Sequence, residues 1–179
     1  MRFSVSRLNT YLENPWEHWC KYIAEYKELP DSERTKYMDR GTIFHTAMEI
    51  MADHKGELSE EKVKHLALSV HEHSPFSDEA RMTGLLAIER YLSSGETVDF
   101  SKVIETEKEI EVDLPNGHEF IGYIDAVIDN GDGTVSLIDY KTYSEAPQMD
   151  KLKYSLQANM YMQVMTNLAI RLKTFLLSV

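Results

Sequence analysis

Two aspartates and a lysine lie close together in the segment of residues 121–142, which reads I-G-Y-I-D-A-V-I-D-N-G-D-G-T-V-S-L-I-D-Y-K-T. The run D-N-G-D-G within it is rich in residues that tolerate left-handed backbone angles, so it predicts the turn of a β-hairpin. Asp125 then lies on the first strand of the hairpin, and Asp139 and Lys141 lie at the end of the second strand.

The spacing on the second strand determines which side chains can act together. Side chains alternate at period two, so Asp139 and Lys141 share one face, which Val135 and Leu137 extend. Their backbone positions are about 6–7 Å apart. Asp125 is odd-numbered like Asp139 and can be paired across to the same face. Two acids and a lysine that converge in this way suit the hydrolysis of a phosphodiester with the help of a divalent metal ion.

The motifs around this hairpin resemble those of the PD-(D/E)XK nucleases. G-Y-I-D at residues 122–125 and D-Y-K-T at residues 139–142 are similar to motifs II and III of that family. The resemblance is closest to the branch of the RecB nuclease domain and lambda exonuclease. Three more segments match in the expected order: S-x-S-R-L-x-x-Y at 4–11 followed by N-P, as in the amino-terminal helix; G-T-I-F-H at 41–45, as in the GxxxH motif; and Q-A-N-M-Y at 157–161, as in the QxxxY motif.

The resemblance implies a metal site with a defined set of residues. Asp125 and Asp139 would supply carboxylate oxygens to Mg²⁺ or Mn²⁺, with the backbone carbonyl of Tyr140 as a further ligand. His45 of the GxxxH motif would be a metal ligand as well. Lys141 would orient the attacking water and balance charge at the scissile phosphate. The expected catalytic residues are therefore Asp125, Asp139 and Lys141.

Three other side chains are expected beside this centre. Gln157 and Tyr161 are four residues apart and share one face of a helix. The QxxxY resemblance implies that they contact the active site or the DNA strand, and the alternative is an amphipathic helix with the tyrosine in its core face. Glu107 resembles the acidic residue on the strand before motif II, but an alternating glutamate face is most often simply solvated.

The central residues also have an ordinary structural alternative. The acids and the lysine of the hairpin would fit a solvent-exposed face of an antiparallel pair, and His45 would fit the surface of a helix. D-x-K alone would occur by chance in many chains. The order of the five motifs along the chain favours the functional interpretation.

Composition bounds the class of protein. The chain has 179 residues, 42% of them apolar, which fits one globular domain over residues 1–179. No apolar run approaches about 18 residues, so no membrane span is expected. The amino terminus lacks the apolar segment of a secretory signal, and these features predict a cytoplasmic protein. With Cys20 as its single cysteine, the chain is expected to hold no disulfide and none of the four-cysteine iron–sulfur clusters of some relatives.

The net charge of −11 argues mildly against a nucleic-acid partner, because affinity for the DNA backbone normally comes from lysine and arginine. A site that holds divalent cations must be acidic, however, and a bound metal reverses the local field. The acids of residues 53–61 can also face away from a substrate.

The remaining sequence predicts the elements that position this centre. Helices are expected over residues 4–26 (capped by Ser4 or Ser6 and interrupted or kinked at Pro15), 40–54, 60–72, 78–93 and 151–168, with strands over 103–114, in the hairpin and over 171–179. Residues 28–39 are expected to form a polar loop, and Trp16 and Trp19 are placed in the core. The resemblance implies an α/β fold, an α/β/α sandwich with a mixed central β-sheet flanked by helices, and the pattern of elements is compatible with it.

The function implied by the resemblance is that of a metal-dependent deoxyribonuclease. It would be an exonuclease that acts at DNA ends in recombination, repair or phage DNA processing and leaves a 5′-phosphate. A structure- or site-specific endonuclease on the same core is one alternative, and a non-catalytic DNA-binding or assembly subunit is another. The expected partners are DNA and a helicase or recombination protein.

Overall fold

The computed structural model describes residues 1–27, 32–54, 57, 59–95, 97–114, 117–142, 155–167 and 172–178. In this part of the chain there are five strands, six α-helices and one 3-10 turn. In chain order they are β1 (Arg2–Phe3), α1 (Val5–Glu13), α2 (Pro15–Tyr22), α3 (Ser32–Asp53), α4 (Glu60–His73), α5 (Asp78–Ser93), the 3-10 turn (Phe100–Lys102), β2 (Val103–Leu114), β3 (His118–Asp129), β4 (Val135–Tyr140), α6 (Leu156–Asn167) and β5 (Leu172–Ser178).

The five strands form one mixed sheet around β3. β2 is antiparallel to β3 and covers the whole of one edge. The other edge is divided, because β1 pairs in parallel with residues 119–120 and β4 pairs antiparallel with residues 126–129. β5 is parallel to β4. The mixed sheet flanked by helices confirms the α/β fold expected from the sequence.

Among the described residues, two hydrophobic cores join the helices to the sheet. The α3–α5 core packs α3, α4 and α5 against β2, β3 and β4, and its centre includes Phe44, which is fully buried. The α1–α6 core packs α1 and α6 against the same three strands around Phe120. Burying one such phenylalanine side chain stabilises the fold by about 1.5–3 kcal/mol.

At Asp125, the side chains on one face of β3 pass from the α1–α6 core to the α3–α5 core. Ile124 packs in the α1–α6 core, whereas Ala126, two residues later, packs in the α3–α5 core. Residues two apart share a face in a regular strand, so the backbone must depart from regular geometry between them. Opposite Asp125 on β2, Glu107 has a φ of +44°, and this pair is missing from the register that otherwise runs from Glu105 to Leu114. The sheet is therefore irregular at the position of the first predicted catalytic aspartate.

The hairpin turn forms where the sequence predicts it. The side chain of Asp129 accepts a hydrogen bond from the Gly131 N–H at 2.8 Å, and that of Asp132 accepts one from the Thr134 N–H at 3.1 Å. Gly131 and Gly133 have φ values of +74° and +78°. Glycine adopts these left-handed angles without steric cost, so the turn prediction is confirmed.

The amino-terminal helix predicted over residues 4–26 is in fact two helices. Ser4 caps α1, and the side chain of Asn14 accepts hydrogen bonds at 3.2 Å from the backbone N–H groups of Trp16 and Glu17. Pro15 is the first residue of α2, a favourable position because the N–H that proline lacks has no partner within the helix there. The interruption predicted at Pro15 is confirmed, and it is the start of a new helix.

The prediction that Trp16 and Trp19 lie in the core is wrong. They are 68% and 42% exposed, and their rings stack on each other with centroids 5.1 Å apart. α2 has no buried residue, so its apolar side chains pack on one another at the surface.

Two other boundaries differ from the prediction. The polar loop expected over residues 28–39 is replaced, from Ser32 onward, by the first turns of α3. The helix expected over residues 151–168 is described from Leu156 to Asn167, and residues 151–154 lie outside the described part of the chain. In the described residues, no helix combines the length and the apolar character that crossing a membrane requires.

Candidate active site

β3 and β4 separate where the two aspartates lie. Their paired register ends at Ala126 and Ile138, and its continuation would put Asp125 opposite Asp139. Instead, the carboxylate of Asp125 accepts a hydrogen bond from the backbone N–H of Tyr140. The side chain thus takes the place of a strand partner for that N–H, which holds the carboxylate at the point of separation.

His45 reaches the same point from α3. Its Nε2 lies 2.9 Å from the carbonyl oxygen of Tyr140, and its Nδ1 lies 3.5 Å from Oδ1 of Asp125. A carbonyl oxygen can only accept a hydrogen bond, so Nε2 carries a proton and donates it. In the neutral imidazole Nδ1 then has a free lone pair directed towards Asp125. This is the tautomer that a metal-binding histidine with a carbonyl partner adopts.

The charge state of His45 depends on Asp125. Burial alone would lower the pKa of the imidazole, but the hydrogen bond to Asp125 and the negative charge of that carboxylate outweigh burial and raise it. A proton and a divalent cation would therefore compete for the same nitrogen.

Glu107 approaches the two residues from β2. One ligand atom from each of His45, Glu107 and Asp125 lies within 4.8 Å of the other two. Glu107 is exposed, but its partial desolvation raises the pKa of its carboxyl, and the negative charge of Asp125 raises it further. The left-handed backbone of Glu107 costs on the order of 1 kcal/mol or more, so the surrounding structure holds this acid in place.

This donor set fits a divalent cation. Imidazole nitrogen and carboxylate oxygen together suit Mn²⁺, and carboxylate oxygen suits Mg²⁺. Ligands about 2.1 Å from one Mg²⁺ ion are at most about 4.2 Å apart, so small side-chain rotations would bring the three groups into coordination.

Asp139 and Lys141 form a second group beside the first. Asp139 is 1% exposed, so the alternative of a solvent-exposed hairpin face is wrong. Its Oδ2 lies 2.6 Å from Nζ of Lys141, and its Oδ1 accepts a hydrogen bond at 2.7 Å from the side-chain amide of Gln157. Burial raises the pKa of Asp139, and the charge of Lys141 opposes this shift.

The structure thus divides the predicted metal ligands. His45 and Asp125 converge with Glu107, whereas the carboxylate of Asp139 is engaged by Lys141 and Gln157. The carbonyl of Tyr140 accepts a hydrogen bond from Nε2 of His45. The role of Asp139 and of the Tyr140 carbonyl as ligands stays a prediction.

Tyr161 is buried in the α1–α6 core. It is 4% exposed, and its hydroxyl donates to the carbonyl of Tyr123 at 2.9 Å and accepts from the N–H of the same residue at 3.2 Å. These groups lie on the edge of β3 between β1 and β4. This buried position favours the alternative of a tyrosine in the core face of the helix, and a contact of Tyr161 with the active site or the DNA strand stays a prediction.

A groove of about 580 Å³ borders the convergent residues. It follows α3 past His45, faces Glu107, and includes Glu49 one helical turn further on. Sequence analysis did not single out Glu49, although its spacing of four from His45 places both on one helical face.

Comparison with known proteins identifies the family. The model of the PD-(D/E)XK nuclease superfamily matches residues 2–176, so the chain belongs to that superfamily. The chain is also similar to an ATP-dependent helicase/deoxyribonuclease subunit of Streptococcus agalactiae, in each of the serotypes Ia, V and III. Each of these relatives is 26% identical over 164 residues, which are 86% of this chain and 15% of the relative. The chain thus matches a small part of the length of these relatives, and the family predicted from the motif order is confirmed.

Proposed function

We propose that the protein is a divalent-metal-dependent deoxyribonuclease whose active site lies where α3, β2, β3 and β4 meet. The observation that carries this proposal is the convergence of His45, Glu107 and Asp125 beside the ion pair of Asp139 and Lys141. Membership of a nuclease superfamily supports the same reaction class.

The proposed ligands of Mg²⁺ or Mn²⁺ are Nδ1 of His45 and the carboxylates of Glu107 and Asp125. A cation bound there would polarise a phosphate oxygen and lower the pKa of water. His45 is oriented for this task by the Tyr140 carbonyl, and Asp125 by the Tyr140 N–H. One backbone residue therefore positions two ligands from different elements.

Lys141 is proposed to act on the reacting groups. Its ammonium is held at Asp139, which is held in turn by Gln157, so a chain of three side chains runs from α6 to the end of β4. The Lys141 side chain is partly exposed. Its positive charge can therefore stabilise the negative charge that develops on the phosphate, or orient the attacking water.

We propose action at DNA ends, as an exonuclease that leaves a 5′-phosphate in DNA repair, recombination or phage DNA processing. The similarity to helicase/deoxyribonuclease subunits supports DNA as the substrate and a helicase as the partner. A DNA substrate also accords with the cytoplasmic location expected from the sequence. An endonuclease on the same core is the second candidate, because the fold does not determine which bond is cut.

The test uses end-labelled linear duplex DNA and covalently closed circular DNA, each with Mg²⁺, Mn²⁺ or EDTA. We expect degradation of the linear substrate with metal, resistance of the closed circle, and no cleavage in EDTA. Lys141→Ala should cleave about 10²–10³-fold more slowly. Lys102→Ala, which removes an exposed lysine paired with Asp99, should behave as the parent. Nicking of closed circles at a comparable rate would favour the endonuclease. Failure to cleave any DNA with either metal would overturn the proposal.

A further inference from the structure

Arg40 links α3 to the segment that follows β4. Its Nη2 donates a hydrogen bond at 2.9 Å to the backbone carbonyl of Thr142. Its guanidinium carbon lies 5.4 Å from the ring centroid of Tyr37, and its Nε is buried without a hydrogen-bond partner among the described residues. The guanidinium is therefore fixed on two sides by the protein, with one donor directed at the residue next to Lys141.

Lys141 lies where the support of the sheet ends. β4 ends at Tyr140, and its pairing with β3 ends earlier, at Ile138. The side chain of Lys141 is held by its ion pair with Asp139, but the backbone that carries it has already left the strand. A restraint on the following residue, Thr142, is well placed to determine where this backbone lies.

We propose that Arg40 is a positioning residue for Lys141, and that it acts through the carbonyl of Thr142. This inference rests on the proposed function, because Lys141 is the group that acts on the phosphate. Arg40 stands immediately before Gly41, and a Cβ added at Gly41 would lie 3.9 Å from the Thr142 hydroxyl oxygen, so α3 and residue 142 approach closely at this point.

The contacts of Arg40 favour positioning over direct binding of DNA phosphate. An arginine that binds phosphate presents the N–H donors of its planar guanidinium to solvent. Here Nε is buried, and Nη2 is used by a backbone carbonyl. Lysine would not replace this group, because an ammonium is a point charge without the planar fork that packs over a ring.

The first experiment is a double-mutant cycle on the rate of DNA cleavage. Arg40→Gln should lower kcat by about ten- to hundredfold, since a misplacement of about 1 Å at a catalytic group can have such an effect. KM for DNA and the affinity for Mn²⁺ should change by less than about twofold. In a Lys141→Ala background, Arg40→Gln should change the residual rate by less than about twofold, because the group that it positions is gone. Arg90→Gln, at an exposed arginine of α5, is the matched control.

Two results of this cycle would overturn the inference. One is an equal loss of kcat from Arg40→Gln with and without Lys141, which would mean that the residues act independently. The other is a rise in KM as the main effect, which would indicate that Arg40 contacts DNA directly. Arg40→Lys provides a second variant if Arg40→Gln does not fold, and we expect it to restore less than half of the lost rate.

The second experiment does not depend on activity. In protein labelled with ¹³C at the lysine Cε positions, the Lys141 signal is assigned by its loss in Lys141→Arg. Arg40→Gln should move this signal towards the values of exposed lysines, and Arg90→Gln should leave it in place. An unchanged signal in a folded Arg40→Gln protein would overturn the inference. If the parent protein does not cleave DNA, the proposed function fails, and this spectrum still decides the role of Arg40.

Discussion

A methyl group on Gly122 would collide with the ring of Tyr161. A Cβ built at this position lies 2.5 Å from Cε1, 2.9 Å from the hydroxyl oxygen and 3.1 Å from Cζ of the tyrosine. The ring cannot turn away easily, because it packs edge-on to Phe120 and its hydroxyl bonds both backbone groups of Tyr123. Either the strand or α6 would have to move in Gly122→Ala.

The expected cost follows from these contacts. Overpacking a well-packed core costs about 1–3 kcal/mol. If the hydroxyl is displaced, two hydrogen bonds are lost, each with a net contribution of about 0.5–1.5 kcal/mol. The free energy of unfolding should therefore fall by roughly 2–6 kcal/mol. At about 2–4 °C per kcal/mol for a chain of this size, Tm should fall by roughly 4–24 °C.

Thermal unfolding followed by circular dichroism would test this prediction. Gly41→Ala is the matched control, because its added Cβ meets Thr142 at an ordinary 3.9 Å and alanine favours a helix. In Gly122→Ala/Tyr161→Ala the two effects should not add, since the methyl group occupies space that the ring has left. A Tm for Gly122→Ala within about 2 °C of the parent would refute the assignment of Gly122 to close contact with Tyr161.

Three further predictions concern the site itself. Lys141→Ala should lower kcat by about 10²–10³ and leave Mn²⁺ affinity nearly unchanged. Turnover within a factor of about two of the parent would mean that Lys141 takes no part in catalysis. Tyr161→Phe should cost about 1–3 kcal/mol in urea unfolding, because the N–H and C=O of Tyr123 lose their partner, while KM for DNA stays constant. A raised KM for DNA with unchanged stability would indicate that Tyr161 contacts the substrate. Asp125 raises the pKa of His45 against the effect of burial. The interaction of protonated His45 with Asp125 therefore stabilises the metal-free protein below about pH 6.5, and this stabilisation is lost as the pH rises through the folded-state pKa of His45. Mn²⁺ needs the deprotonated ring, so the stabilisation by Mn²⁺ should grow over that same pH range, and a pH-independent Tm shift on adding Mn²⁺ would contradict the assignment.

Much of the fold was predictable because its signals are local. The turn residues of the hairpin and the strand over residues 103–114 are readable within short windows of sequence, and both predictions are confirmed. The split of the amino-terminal helix was readable too, since Asn14 followed by Pro15 is a cap followed by a favoured first helical residue. If Asn14 and Pro15 are interpreted as the start of a separate helix, the prediction that Trp16 and Trp19 lie in the core is weaker.

The geometry of the site was less accessible to sequence analysis. The missing Glu107–Asp125 pair and the change of core at Asp125 arise from how three strands meet, which no local pattern specifies. Tyr161 lies on the same face of α6 in either case, so periodicity could not distinguish a buried tyrosine from one that contacts DNA. No local pattern predicts a role for Arg40, because its hydrogen-bond partner Thr142 lies 102 residues away.

The central claim is that His45, Glu107 and Asp125 together form a divalent-cation site, and calorimetric titration with Mn²⁺ tests it most directly. The parent should bind Mn²⁺, and Asp125→Asn and Glu107→Gln should each weaken binding by at least about tenfold, or about 1.4 kcal/mol. Glu109→Gln, which alters an exposed acid on the same strand, should bind as the parent does. Undiminished Mn²⁺ binding in Asp125→Asn, with the protein folded, would contradict the account.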